Sequence, residues 1–405
     1  MVYWWYMKIL IAADLHWPTI NGVATFSRNL AKGLSDRGHE VLVIAPSQTG
    51  KAYDEYDGNH VIKRTKSTIF PFYQNFRISP MPNKEVQDII TEFEPDVIHI
   101  QMMMWIGISA MKYGNKYEIP IVATNHAIPD NLLDNMRLIA PVSKTVSFAL
   151  NQYGTRFFAK ADYVTLPTQL AIDMMGGQER LPVAVEPVSN GIDLSRFEPT
   201  KASPKTYEEF GIPKNVPVIS YIGRIDAEKH LSILLESFTN IRRSGSNAHL
   251  LIVGDGTDRE HLQNRVYRLG LADCVTFTGR VSDDAIIALH KVGDIFCMPS
   301  PAELQSIATL EAMASGKPVI AVDAGALAEL CRTGENGVLC EKDDVAGITD
   351  ALQLLLGDKK LAAKYAKASL KIAKTHDINY TLDRFEAIYD QVISSKTRVL
   401  PQRLL

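Results

Sequence analysis

The chain has 405 residues, 46% hydrophobic and 22% charged, with 43 Lys and Arg against 46 Asp and Glu for a net charge of −3. At about 150 residues per domain this is material for two or three cores, and it excludes a disordered or collagen-like chain. The near-neutral balance excludes a whole-chain nucleic-acid binder, so any basic binding surface is local.

Residues Met1–Tyr6 are aromatic but lack the basic start, apolar middle and cleavage site of a secretory signal. They read as a short extension or as an interfacial aromatic anchor. No apolar run approaches the roughly 18–20 residues of a membrane span. Lys8–Ala13 predicts a strand, and Val23–Arg37 a helix in which Phe26, Leu30 and Leu34 recur every four residues. Strands follow at Val41–Ala45, Asp96–Ile100, Ile121–Thr124 and Tyr163–Leu166. Val185–Phe197 then breaks the rhythm with Pro, Asn and Gly and marks a domain boundary. The pattern restarts with strands at Val216–Ile222, His249–Val253, Cys274–Thr278, Asp294–Met298 and Pro318–Val322. Helices are predicted between them at Leu231–Arg243, Arg259–Leu269, Asp283–Lys291 and Ile307–Ala314. Strand and helix alternation of this kind predicts an α/β protein of two doubly wound domains in series, each with a parallel sheet covered on both faces. The chain ends in a helix, Tyr380–Ser394, with Leu382, Phe385, Ile388, Tyr389 and Val392 on one apolar face that needs somewhere to dock. Cys274, Cys297, Cys331 and Cys340 form no CxxC pair and read as reduced, partly buried thiols of a cytoplasmic protein.

Doubly wound domains bind ligands beyond the carboxyl ends of their strands, so the loops there carry the chemistry. The first, Asp14–Gly22, lacks the GxGxxG of a nicotinamide or flavin enzyme. Its Gly22 stands at the mouth of a helix, where backbone can approach an anion closely, although a plain loop glycine reads as well. His126 follows another strand, in a position suited to chemistry or to a satisfied structural histidine. In the second half, Gly223-Arg224 and Lys229 place two cations beside a tight turn, a pattern that can clamp a diphosphate. The most specific string is Ser300–Pro318. It sets Glu303 before a helix and Glu311 inside it, two carboxylates able to accept sugar hydroxyls. The amides of Gln305, Ser306 and Ile307 start that helix and point at an anion.

Gly223-Arg224 with Glu228-Lys229, Glu303 with Glu311, the run Leu310–Ala321, and Asn190–Asp193 with Phe197 together resemble the retaining GT-B glycosyltransferases of family 4. The loop ending in Asn21-Gly22 and the His126 loop match as well, so the resemblance covers the chain from Met7. It implies the GT-B fold: two Rossmann-like domains facing a cleft, with the last helix crossing back to the first domain. The expected division is an acceptor domain over 7–194, a nucleotide-sugar domain over 195–377, and a helical segment over 378–405. The resemblance also implies roles. Arg224 and Lys229 bind the donor diphosphate, Glu303 holds the transferred sugar, Glu311 binds the ribose, and Gly22 approaches the phosphates. Gly279 and Arg280 pack by the base, and His126 lies near the reacting carbon. His16, Asn21 and His126 are placed on the acceptor side. Leu304-Gln305-Ser306 departs from the Phe-Gly of many relatives and is similar to the branch that glycosylates diacylglycerol and related lipids.

The implied reaction moves a hexose from a nucleoside-diphosphate sugar, with UDP-glucose and GDP-mannose both open, to an acceptor hydroxyl with retention of configuration. No cofactor is expected, and no DxD follows a strand, so no metal is expected either. For the acceptor, residues 61–84 interleave Lys63, Arg64, Lys66, Arg77 and Lys84 with Ile69, Phe70, Pro71, Phe72, Tyr73 and Phe76. That mixture suits an anionic membrane surface, or a solvated loop with some core aromatics. Met102–Trp105 reads as the wall of a lipid groove or as core. The expected protein is therefore a cytoplasmic enzyme, peripheral on the inner face of the membrane, with a lipid acceptor and no nucleic-acid partner. A soluble enzyme acting on a sugar, inositol or polysaccharide and a catalytically silent nucleotide-sugar binder are the alternatives.

Overall fold

The computed structural model describes residues 6–19, 21–70, 76–126 and 143–397. The chain divides into two compact units, one running to Asn190 and taking up again from Ile378, the other Gly191–Asp377. The sequence reading set this division at 194/195, four residues later than the structure does.

In the first unit the elements are β1 (Lys8–Ala12), α1 (Gly22–Asp36), β2 (Glu40–Pro46), β3 (Tyr53–Asp57), β4 (His60–Thr65), β5 (Thr68–Ile69), β6 (Arg77–Ile78), α2 (Asn83–Phe93), β7 (Val97–Ile100), α3 (Trp105–Lys116), β8 (Ile121–Thr124), α4 (Ser143–Phe158), β9 (Tyr163–Leu166), α5 (Gln169–Met174) and β10 (Ala184–Pro187). Their main sheet has the order β10-β9-β8-β7-β1-β2-β4-β3. It is parallel except for the edge pair β3–β4. The central strands are mostly apolar and buried almost along their whole length, as expected where helices cover both faces. Two parts of this sheet are absent from the sequence expectation. The hairpin β3–β4 contains the alternating Tyr53–Asp57, which carries no apolar run, and β10 overlaps the start of the segment read as a boundary.

The second unit contains α6 (Pro204–Glu209), β11 (Val218–Ile222), α7 (Leu231–Arg243), β12 (His249–Val253), α8 (Arg259–Arg268), β13 (Val275–Phe277), α9 (Asp283–Val292), β14 (Ile295–Met298), α10 (Ile307–Ala314), β15 (Val319–Val322), α11 (Leu327–Leu330), β16 (Gly337–Cys340), α12 (Val345–Gly357) and α13 (Lys359–Ala373). Its sheet order is β13-β12-β11-β14-β15-β16, with every pair parallel. Each sheet reverses its strand order at one point: around β1 in the first unit, and between β11 and β14 in the second. At such a point the two adjoining loops turn to opposite faces and leave a crevice at the strands' carboxyl ends. Cys297, Cys331 and Cys340 are buried in this unit, and burial pushes the Cys331 thiol up to about 12 and the Cys340 thiol up to about 11.

The last helix, α14 (Ile378–Thr397), belongs to the first unit. Leu382, Phe385, Ile388, Tyr389 and Val392, the face read from the sequence, are all buried in that unit's core. Phe385 and Tyr389 pack on the ring of His99 from β7. The Tyr389 hydroxyl lies 2.6 Å from His99 Nδ1, and Thr124 Oγ1 lies 2.7 Å from Nε2. Polar groups ring this patch: Glu386 is buried and accepts from Arg37 at 2.6 Å and meets His39 at 2.9 Å.

Burial pushes His99 and His16 down to about 3, so both stay neutral in the fold. The unfolded chain binds those protons near pH 6.5, so unfolding takes up two protons below that pH. Asp14 works in the opposite sense. Burial raises its carboxyl to about 7, so its contribution is present at acid pH and is lost as the pH rises through 7. His126, pushed down to about 3, and His249, pushed down to about 4, act in the same sense as His16 and His99, so the histidines outweigh the one aspartate and stability falls on going down from pH 6.5 to 4. Melting temperature should therefore fall steadily over that range. A flat or rising profile would count against this account.

Candidate active site

Two clusters form, one in each unit, each at the point where its sheet reverses order. In the second unit, the chain leaves β11 through Gly223 and Arg224. Arg224 is held by the carboxylates of Asp226 and Glu228. Asp226 also accepts from the Thr257 amide and hydroxyl, both at 2.9 Å, which ties this turn to the loop after β12. Lys229 reaches across to the loop after β14, with Nζ 2.7 Å from Glu303 Oε1 and 3.5 Å from Ser300 Oγ. The two side chains are only 12% and 14% exposed, so their attraction is little screened.

The Glu303 backbone is pinned as well. Its carbonyl accepts from the Ala326 amide at 2.7 Å, and a Cβ on Gly325 (φ +56°) would lie 2.3 Å from that oxygen. Ser306 caps α10 by accepting from the Thr309 amide at 3.3 Å. Gln305, Ser306 and Ile307 are buried along the loop into the helix. Glu311 sits within α10, 3.1 Å from His290 Nε2. Gly279 accepts from the Gly254 amide at 3.2 Å, and Arg280 beside it is exposed. Within the cluster two cations, Arg224 and Lys229, meet three carboxylates, Asp226, Glu228 and Glu303. Attraction for an anion must draw on the loop amides and the N-terminal end of α10 as well as on the side chains.

Gly254 sets the floor of this cluster. It has φ +130°, and a Cβ there would lie 1.9 Å from the Gly223 carbonyl oxygen. Gly254→Ala must therefore displace the Gly223–Arg224 turn. Calorimetric titration should show nucleoside diphosphate affinity falling by about tenfold or more, the loss of one charged hydrogen bond. Unchanged affinity would separate this turn from the ligand.

In the first unit, Asn21 accepts from the Ala24 amide at 2.8 Å and caps α1, with Gly22 exposed as the first helical residue. His126 follows β8. Its Nε2 lies 2.9 Å from Gln101 Oε1, its ring centroid is 4.8 Å from that of Phe26, and burial holds it neutral, pushed down to about 3. His16, expected on the acceptor side, is 1% exposed, with Nδ1 3.0 Å from Ser27 Oγ of α1. Asp14 is buried and accepts from the Ile106 and Gly107 amides at 2.9 and 3.0 Å, fixing the start of α3.

The basic stretch 61–84 needs two corrections. Arg64 is buried in β4, bonded to Glu55 at 2.8 Å and to backbone carbonyls, so it cannot meet a membrane. Arg77 is committed to Ser47 and Ser67. Lys66 and Lys84 are exposed, as are Ile69 and Met81, while Phe70 packs on Phe76 and Trp105. Pro71, Phe72 and Tyr73 lie outside the described residues, as do Met1–Trp5. Met102, Met103 and Met104 are half-buried. Sequence reasoning missed Asp226, Ser300, His290 and Gln101. Of these, only Asp226 carried a local signal, a carboxylate two residues from Arg224 in the same loop.

Residues 20–196 match the family described as Glycosyltransferase Family 4, and residues 203–371 match Glycosyl transferases group 1. The chain belongs to the group 1, family 4 glycosyltransferases. This glycosyltransferase therefore transfers a sugar from a nucleotide sugar. It is 26% identical to the alpha-monoglucosyldiacylglycerol synthase of Streptococcus pneumoniae, over 78% of this chain and 71% of that one. It is also 26% identical to a GDP-mannose-dependent alpha-mannosyltransferase of Mycolicibacterium smegmatis, over 98% and 99%. A phosphatidyl-myo-inositol mannosyltransferase of Mycobacterium leprae is 25% identical, over 97% and 99%. Among solved structures, sucrose-phosphate synthase from Thermosynechococcus elongatus aligns with a TM-score of 0.77 at 18% identity, over 96% of this chain and 100% of that one. Anabaena HepE in complex with UDP and glucose aligns at 0.73 and 21%, over 95% and 100%. These likenesses give the glycosyltransferase the GT-B fold. Among its described residues no helix is long and apolar enough to cross a membrane, and no three His, Cys, Asp or Glu side chains converge as a metal site.

Proposed function

We propose that this glycosyltransferase moves a hexose from a nucleoside-diphosphate sugar to a hydroxyl of a membrane lipid such as diacylglycerol, with retention of configuration and without a metal. The observation that carries the transferase half of this reading is the Lys229–Glu303 pair at the strand-order reversal of the second unit, 2.7 Å apart and beside Arg224. In this reading Arg224, Lys229 and the amides at Gln305–Ile307 take up the charge that develops on the leaving diphosphate. Glu303 holds hydroxyls of the transferred sugar, Glu311 those of the ribose, and Gly279 and Arg280 flank the base. Gly22 approaches the phosphates, and His126, neutral and anchored by Gln101, donates or accepts near the reacting carbon. Asn21 and His126 face the acceptor. The donor phosphate takes the acceptor proton in a front-face reaction.

The lipid half is supported by the names of two relatives, a diacylglycerol and a phosphatidyl-inositol enzyme. It is also supported by the exposed Lys66, Ile69, Met81 and Lys84, a basic and apolar set suited to an anionic bilayer. Peripheral attachment at the inner membrane face follows from that acceptor.

A donor panel tests the proposal. The protein is incubated with UDP-glucose, UDP-galactose or GDP-mannose, with and without anionic vesicles containing diacylglycerol, and released nucleoside diphosphate is measured. Release from one donor that rises with vesicles and persists in chelator is the expected result. Release indifferent to vesicles would move the acceptor to a soluble sugar, inositol or polysaccharide. Loss in chelator restored by a divalent ion would overturn the metal-free step. No release from any donor would leave a nucleotide-sugar binder.

A further inference from the structure

We infer that His290 is a positioning residue that orients the Glu311 carboxylate for the ribose hydroxyls of the donor nucleotide. This rests on the reading above that Glu311 meets the ribose. His290 lies on α9 and is 1% exposed. Its ring meets Phe197 edge-on at 5.6 Å between centroids and packs against Phe296 at 6.1 Å. Its Nε2 lies 3.1 Å from Glu311 Oε2, while Nδ1 is buried with no partner among the described residues.

The tautomer follows from those contacts. A proton on Nδ1 would be buried without an acceptor among the described residues, which is costly. With a proton on Nε2 the ring donates to Glu311. An apolar side chain between the two phenylalanines would fill the same space without burying a polar group. Among the described residues, the histidine's one polar contact is Glu311. Glu311 is 16% exposed, and with Oε2 engaged by the imidazole, the described residues place no bond on Oε1. The bond selects one carboxylate rotamer and keeps an oxygen presented outward. Without it the carboxylate has other rotamers to sample, and a ligand must pay the ordering entropy itself.

The test compares ribose recognition, not activity. Full-length protein is titrated calorimetrically with uridine and guanosine diphosphates and with their 2′-deoxy and 3′-deoxy counterparts, and the preference for ribose is the affinity ratio. The unaltered protein should prefer ribose by about tenfold or more for at least one hydroxyl, as expected for a hydrogen bond to a charged group. His290→Phe should shrink that preference about fivefold or more while binding the deoxy analogue as before. His290→Gln, whose amide nitrogen stands near the place of Nε2, should restore it. His290→Met replaces His290→Phe if the larger ring fails to fold. Preference retained in His290→Phe or His290→Met but abolished in Glu311→Ala would overturn the role of His290. Preference retained in Glu311→Ala would instead overturn the ribose reading of Glu311, and the inference with it.

Discussion

Glu303→Gln is expected to cut turnover about a hundredfold or more while nucleoside diphosphate binds at least as tightly as to the unaltered enzyme. The two effects separate because Glu303 is in contact with Lys229, 2.7 Å away, in a cluster where carboxylates outnumber cations. Neutralising it removes one negative charge from the path of a diphosphate and frees the ammonium of Lys229. The amide that replaces the carboxylate makes weaker bonds to sugar hydroxyls. A charged hydrogen bond contributes about 1.5–3 kcal/mol, and a group that acts mainly in the transition state about 3 kcal/mol, or roughly a hundredfold. Lys229→Met should act differently. It leaves a mostly buried carboxylate uncompensated, so diphosphate affinity and turnover fall together. Steady-state kinetics beside calorimetry on free nucleoside diphosphate checks both variants. If Glu303→Gln lost diphosphate affinity in step with turnover, Glu303 would be part of the phosphate site and not a ligand of the sugar.

Phe385→Ala is expected to destabilise the first unit by about 3–5 kcal/mol, the range for removing a fully buried aromatic ring. Phe385 has no exposure, and its ring packs on Phe26, His99 and Tyr389, so truncation opens a cavity against β7 and α1. Arg384→Ala is the matched control. Arg384 is 44% exposed, and its pair with Glu186 contributes at most about 1 kcal/mol. Because a two-unit chain need not unfold in one step, hydrogen exchange at β1 and β7 is the measurement of choice. Faster exchange there, with β11 and β12 unchanged, is the expected pattern. Equal protection in both variants would mean that α14 contributes little to this core.

What the sequence made legible was mostly contiguous. The loops after β11 and β14 each hold their residues within a few positions of one another, so Arg224, Lys229 and Glu303 could be named before any geometry was known. The apolar face of α14 was legible because helical spacing alone collects Leu382, Phe385, Ile388, Tyr389 and Val392. Pairings between separate elements were not. His290 and Glu311 are twenty-one residues apart on different helices, and nothing in either local pattern announces their contact. Arg64 failed for a related reason. In a list of residues it is one more surface cation, but the β3–β4 hairpin folds Glu55 beside it and closes it off from solvent. The inward turn of His16 to Ser27 was not legible either, since it shares its loop with Asn21 and Gly22, which cap and begin α1.

The place of α14 bears on how the chain is made. Its five apolar side chains complete a core whose other residues come from β1, α1, β2, β7 and their neighbours, all translated much earlier. Residues 191–377 form their own unit in between. Synthesis runs at about 5–20 residues per second, and about two hundred residues separate the two parts of the first unit, so its apolar seam stays uncovered for roughly ten to forty seconds. During that interval the second unit can close its own core, since every strand of its sheet is contiguous. On the ribosome the order is therefore inverted: the unit that begins first finishes last, and a nascent chain arrested before residue 380 presents an open hydrophobic face to whatever chaperone or membrane is at hand.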